Sequence, residues 1–285
     1  LHHANNWRAN VLWDLRLPRI VAAFVTGGLL ALAGSLLQVL LRNPLADPYI
    51  LGISGGAAFF NLAAILLGIS LNFSSGFAFA GAMISMACVF LLAFKRNGWS
   101  SQRLLLTGVM IAASWSALIS GLLSVSSADN IRNLLYWLMG DLAYAQWPYL
   151  ASLVLAIGLT LSVLLAKALN VLTLGELRAK TLGVNTKRLH LQLYFLSAIL
   201  TACAVTIAGP IGFVGLIVPH ILRMLGITDH HFLLPSSVLL GGTLLMLADA
   251  IARTAFAPVQ LPVGIITTLL GVPIFLLLLR KTQST

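Results

Sequence analysis

Nine apolar stretches separated by polar gaps constrain this chain more than any other feature. They run from Ile20 to Leu41, Ala57 to Leu71, Phe73 to Phe94, Leu104 to Val125, Trp147 to Ala166, Leu189 to Ala208, Ile211 to Leu222, Phe232 to Ala252 and Leu261 to Leu279. Most approach the ~20 residues a helix needs to cross ~30 Å of hydrocarbon. The second and seventh are shorter, so they are expected to extend into flanking polar residues or to lie deep in a bundle. Backbone groups in lipid must be satisfied within a helix or a closed barrel, and no run alternates apolar with polar residues as a barrel strand does. The expected fold is all-α: one polytopic membrane helix bundle of about nine spans.

Composition agrees. Of the 285 residues 59% are hydrophobic and only 8% charged, against the roughly 25% charged of an ordinary soluble domain. The two cysteines, Cys88 and Cys203, sit far apart inside apolar runs and suggest neither a disulfide nor a zinc site. A net charge of +10 could point to nucleic acid, but the basic residues are scattered over the loops. Membrane topology accounts for them better. With the loop after the first run inside and the sides alternating, twelve of the 17 fall inside. These are Arg42, Lys95, Arg96, Arg103, Lys167, Arg178, Lys180, Lys187, Arg188, Arg223, Arg280 and Lys281; Arg8, Arg16, Arg19, Arg132 and Arg253 fall outside. Nine crossings would leave Leu1 outside, behind a polar segment with Trp7 and Trp13 and no signal-peptide pattern. One further span upstream would return the amino terminus to the cytoplasm.

Two extramembrane segments are amphipathic. Leu172 to Arg188 interleaves Leu174, Leu177, Leu182 and Val184 with Glu176, Arg178, Lys180 and Lys187, and Gly183 is placed to end a short helix. On composition alone it reads equally as a solvated loop with interfacial leucines or as a small helix that docks a cytoplasmic protein. On the other side, Ser126 to Gln146 holds Asp129, Arg132, Tyr136, Trp137, Asp141 and Tyr144, which need no role beyond interfacial anchoring. From Gly209 to Arg223 the chain reads GPIGFVGLIVPHILR. Pro210 suits the first turn of a helix, Gly212 and Gly215 permit close helix packing, and Pro219 perturbs the last turns.

With this motif the chain resembles the FecCD or BtuC type of ABC importer permease, the membrane subunits that import ferric siderophores, haem, vitamin B12 and related chelates. RLPR at Arg16 to Arg19, GGLLALAGSLLQVLLRNPLADPYILGISGGA, RLLLTGV, YWLMGD, LGELRAKTLGV, TDHHFLLP, LADAIAR and LPVGIITTLLGVP fall in that family's order along nearly the whole chain. The family has ten helices per subunit, and its first is not found here. The resemblance implies a homodimer with the path at the subunit boundary, two cytoplasmic ATP-binding subunits and a periplasmic substrate-binding protein. ATP and magnesium would sit on those ATPase subunits and no cofactor on this chain, which has no GxxxxGK[ST] loop.

It also implies residue roles. Arg16, Arg19 and Arg253 match arginines that receive acidic residues of the binding protein; the alternative is interfacial arginines reaching for headgroups. Asn43 and Leu45 in RNPLADP, with Ser100, Ser101 and Gln102, match the cytoplasmic gates, although Asn-Pro is also a common turn opener. Glu176, Arg178, Leu182 and Gly183 fall in the ATPase-coupling segment. Asp249 is the one carboxylate within an apolar run, and it is expected to pair with Arg253 four residues on. His190, His220, His230 and His231 lack paired metal-ligand spacing, His2 and His3 lie at the chain's start, and no metal site is expected. The leading cargo is an iron chelate, with vitamin B12 next and an oxyanion such as molybdate also open. A self-powered carrier or channel and a membrane enzyme are the other classes. They are disfavoured by the scarcity of buried carboxylates and by the lack of clustered catalytic groups.

Overall fold

The computed structural model describes residues 11–69, 71–94, 100–126, 128–143 and 145–282. His2, His3, Trp7, Arg8, Lys95, Arg96 and Tyr144 lie outside them, as do the side chains of Asp129, Arg132, Arg280 and Lys281. A π-helical turn, Val11–Arg16, leads into α1, Leu17–Leu41, and a 3-10 turn, Pro48–Leu51, precedes α2, Ile53–Leu66. There follow α3, Leu71–Ala93; α4, Ser101–Ser124; α5, Ala128–Leu138; α6, Tyr149–Leu164; and α7, Ala166–Thr173. The last five are α8, Glu176–Thr181; α9, Thr186–Ala208; α10, Val214–Met224; α11, His230–Thr254; and α12, Val263–Thr282. Among the described residues none lies in a strand.

Each of the nine apolar runs carries a helix, but they do not all cross the membrane alike. The segments Val11–Leu41, Phe73–Ala93, Ser101–Ser124, Thr186–Ala208 and His230–Thr254 are long and apolar enough to span. A sixth span is possible where α6 continues into α7 through a 57° bend. By contrast α2 has 14 residues and α10 has 11, about 21 and 16 Å at helical rise, so neither crosses alone.

The hub is α1, buried from Ala22 to Leu41 except for Phe24 and packed against α9, α10 and α11. Small residues set its contacts: a Cβ on Gly27 would strike the Gly241 backbone of α11, and one on Gly34 would strike the Gly215 backbone of α10. Lipid offers no hydrophobic drive between helices, so such close approach is what van der Waals attraction needs. Ser35 of α1 and Ser237 of α11 add a 3.0 Å hydrogen bond at the same seam.

After α1 the chain turns back into the bundle instead of staying at its end. Pro48 rests on Gly215, which also touches the Leu30 backbone; Ile50 meets Gly108 of α4, and Gly52 meets Ala112. The short α2 therefore starts within the bundle. A matching break follows α9, and it corrects one expectation: α10 begins at Val214, so Pro210 lies in the break and not in a first helical turn. The break is held by the Asp141 N–H, which donates to the Ala208 carbonyl at 2.8 Å. Gly209 (φ 66°) faces the Trp137 carbonyl, where a side chain would collide. The close packing expected of Gly215 is present, whereas Gly212 has open space beside it.

Candidate functional site

Among the described residues, the candidate gate and coupling groups lie at one end of the bundle, and Arg16, Arg19 and Arg253 lie at the other. At the inner end α1 closes with Arg42 in the left-handed region (φ 50°), where its N–H reaches the Val39 carbonyl and the next N–H, of Asn43, reaches Gln38. The cap leaves Asn43 half-buried, with its side-chain oxygen accepting from Leu45 N–H at 2.9 Å. Leu45 is half-buried as well, and Ala46 behind it is fully enclosed.

The buried Gln38 and the half-buried Asp47 and Tyr49 then brace this re-entrant segment. Gln38 donates to the carbonyls of Ala46 (3.4 Å) and Leu216 (3.2 Å), and it accepts from Arg223. Asp47 accepts from Tyr49 N–H at 2.8 Å, capping the 3-10 turn. The Tyr49 hydroxyl accepts the Ile211 N–H at 2.9 Å, supplying a partner that the broken helix cannot provide itself. The second predicted turn meets the first at the end of α1. Ser100 caps α4 through Arg103 N–H, the Ser101 hydroxyl lies 3.4 Å from the Leu40 carbonyl, and Gln102 is exposed.

The Leu172 to Arg188 segment is structured. Its helix, α8, ends in a Schellman arrangement: Gly183 (φ 82°) donates to Lys180 and Val184 to Ala179, at 3.1 and 3.0 Å. Ala179 and Leu172 are buried beneath it, while Leu174, Leu177 and Leu182 are exposed beside the exposed Arg178. Glu176 is half-buried. Its carboxylate meets Lys180 at 3.0 Å and Arg42 at 3.1 Å, and the hydrogen bond to Lys180 above all holds it below the usual carboxylate range.

At the outer end the three arginines differ. Arg16 is exposed. Arg19 is only 7% exposed; its guanidinium grips both Asp249 oxygens (3.1 and 2.8 Å) and donates to Gln260 at 2.9 Å. Arg253 is partly exposed and reaches Asp249 at 3.1 Å. The expected Asp249–Arg253 pair is present, but Arg19 shares it. Of the three arginines matched to docking, Arg16 is exposed, Arg253 partly exposed and Arg19 interior.

Two of the histidines contact neighbouring side chains. His230 contacts Asn170 at 2.6 Å and His231 contacts Asp229 at 3.0 Å. Among the described residues no three His, Cys, Asp or Glu side chains gather as metal ligands. Reading the sequence missed Gln38, Asp47 and Tyr49; Asp47 before Pro48 was a capping signal, whereas nothing local marked the other two.

The family model described as the FecCD transport family matches residues 1–281. The chain is 40% identical to an uncharacterised ABC transporter permease, YvrB, of Bacillus subtilis, over 95% of this chain and 79% of that one. It is also 40% identical to the vitamin B12 import system permease BtuC of Escherichia coli, over 95% and 83%. A solved structure described as an inward-facing conformation of an ABC transporter of metal-chelate type superposes with a TM-score of 0.89 at 37% identity, covering 97% of this chain and 89% of that one. PsaBC from Streptococcus pneumoniae, in complex with Fab, shares the fold at 20% identity, with a TM-score of 0.62 over 96% and 95%.

Proposed function

The chain belongs to the FecCD transport family, as a multi-pass ABC importer permease of the bacterial inner membrane, and on that premise we propose that it imports a metal chelate. The observation that carries the cargo class is the 40% identity to a vitamin B12 import permease across nearly the whole chain, beside a metal-chelate type neighbour in structure. Cobalamin is the first cargo to test. Ferric siderophores and haem, the sequence's own first choice, follow it.

In this reading the energy comes from two ATPase subunits at the inner end. The exposed Leu174, Leu177 and Leu182 with Arg178 form a small apolar and basic surface suited to such a partner. A self-powered carrier is less well supported, because the buried carboxylate Asp249 is already engaged by two guanidinium groups. Arg16 and Arg253 keep exposed surface for an acidic binding protein, and the interior Arg19 has a packing role. The little-buried α4 turns a face of small and apolar residues outward, as a second copy lining a shared path would require. Asn43, Leu45, Ser100, Ser101 and Gln102 would close that path at the inner end.

Proteoliposomes holding the chain with its ATPase subunits and binding protein test the cargo. Labelled cobalamin, ferrichrome, haem and molybdate are offered separately. Uptake of one or more supports chelate import; uptake of molybdate alone rejects it.

A further inference from the structure

We propose that the ion pair between Arg42 and Glu176 is a positioning link through which α8 sets the inner gate segment. The inference rests on the reading above that α8 receives the ATPase and that Asn43 and Leu45, with Ser100, Ser101 and Gln102, close the path. The two parts of the link come from opposite halves of the machine. Glu176 is the first residue of α8, and Arg42 is the residue at which α1 becomes the gate segment.

Three features make this contact more than a surface pair. First, Arg42 cannot shift alone: its own N–H is bound to Val39 and that of Asn43 to Gln38, so a pull on the guanidinium acts on the cap that aims Asn43 and Leu45. The Ser101 hydroxyl lies at the Leu40 carbonyl two residues back, so the second gate turn hangs from the same helix end. Second, Glu176 is not a loose side chain, since Lys180 one turn on holds its other oxygen at 3.0 Å. Third, α8 packs on α7 and α9, and the Arg42 side chain bridges from α1 to it.

The exposure of the pair, 44% for the Arg42 side chain and 36% for that of Glu176, suits the role. An exposed pair contributes little to stability and can be made and broken at little cost. The buried Gln38 and the half-buried Tyr49 hold the same segment to α10 and the break before it, while Asp47 caps its 3-10 turn. The gate segment is thus fixed on one side and steered on the other. Glu176 turns its charge to the gate and leaves Arg178 and the exposed leucines to the motor.

The test uses the full assembly in proteoliposomes, with cobalamin, ferrichrome and haem as probes, and reads cargo imported per ATP hydrolysed. Arg42→Gln and Glu176→Gln are each expected to lower that ratio roughly fivefold. The double variant is expected to be no worse than either single, because both remove one link, and Arg42→Lys is expected to keep part of the ratio. Co-purification of the ATPase subunits is expected to be unchanged in all. Unchanged ratios in the single variants overturn the proposal, as does a double variant whose loss is the product of the two. Loss of ATPase co-purification in Glu176→Gln alone also overturns it, by making Glu176 a motor contact. A wild-type assembly that imports nothing with ATP rejects the permease reading itself.

Discussion

Arg19 of α1 and Asp249 of α11 lie 230 residues apart in sequence and are joined by three hydrogen bonds of 2.8 to 3.1 Å inside the outer end of the bundle. Both are nearly inaccessible, so neither charge has water as an alternative partner. The pair ties the hub helix to its largest neighbour. Removing one member strands the other, and breaking a buried pair in this way costs about 3–5 kcal/mol.

Asp249→Ala is therefore expected to lower the thermal midpoint of the detergent-solubilised protein strongly. Arg253→Ala removes the more exposed partner and is expected to cost under about 1 kcal/mol. Differential scanning fluorimetry on the two variants checks the ranking; equal losses would show that Arg19 is not the principal partner.

The α1–α10 crossing gives a second expectation. A side chain at Gly34 would occupy the Gly215 backbone, and overpacking of this kind costs about 1–3 kcal/mol or more when backbone is the obstacle. Gly34→Val is expected to lose folded protein by size-exclusion chromatography, whereas Gly212→Ala, beside open space, is expected to be tolerated.

Tyr49→Phe removes only the hydroxyl that accepts from Ile211. An unpaired buried N–H costs about 1–3 kcal/mol, so this variant is expected to loosen the break before α10. Hydrogen exchange of the peptide holding 209–213 should rise relative to the wild type, with little change in α6. No change there would remove the brace.

At the inner end the exposed leucines separate docking from folding. Leu177→Glu is expected to leave stability within about 0.5 kcal/mol of wild type, as surface changes do, while weakening co-purification of the ATPase subunits. A variant that binds the motor normally would place the contact elsewhere.

Much of this architecture was legible in order of residue spacing. Apolar runs gave nine helices because lipid leaves the backbone few choices, and Asp249 with Arg253 could be paired because four residues make one helical turn. Gly183 could be placed at the end of α8 for the same local reason. What escaped depends on chain that returns from afar. Arg19 meets Asp249, Arg42 meets Glu176 and Tyr49 meets Ile211 across 134 to 230 positions, with no periodicity to announce them. The re-entrant segment was also hidden, since RNPLADP reads as an ordinary turn until Gly215 and Gly108 are seen to make room for it. Pro210 misled because proline fits a first helical turn and a break equally well.

The central claim is that this chain is a conduit and that a separate ATPase supplies the energy. The most direct measurement is accumulation of labelled cobalamin, ferrichrome or haem in proteoliposomes, with the ATPase subunits and ATP either present or withheld, and the binding protein always present. Accumulation against a gradient only when both motor and ATP are supplied is the predicted result; accumulation by the chain without the motor would contradict it.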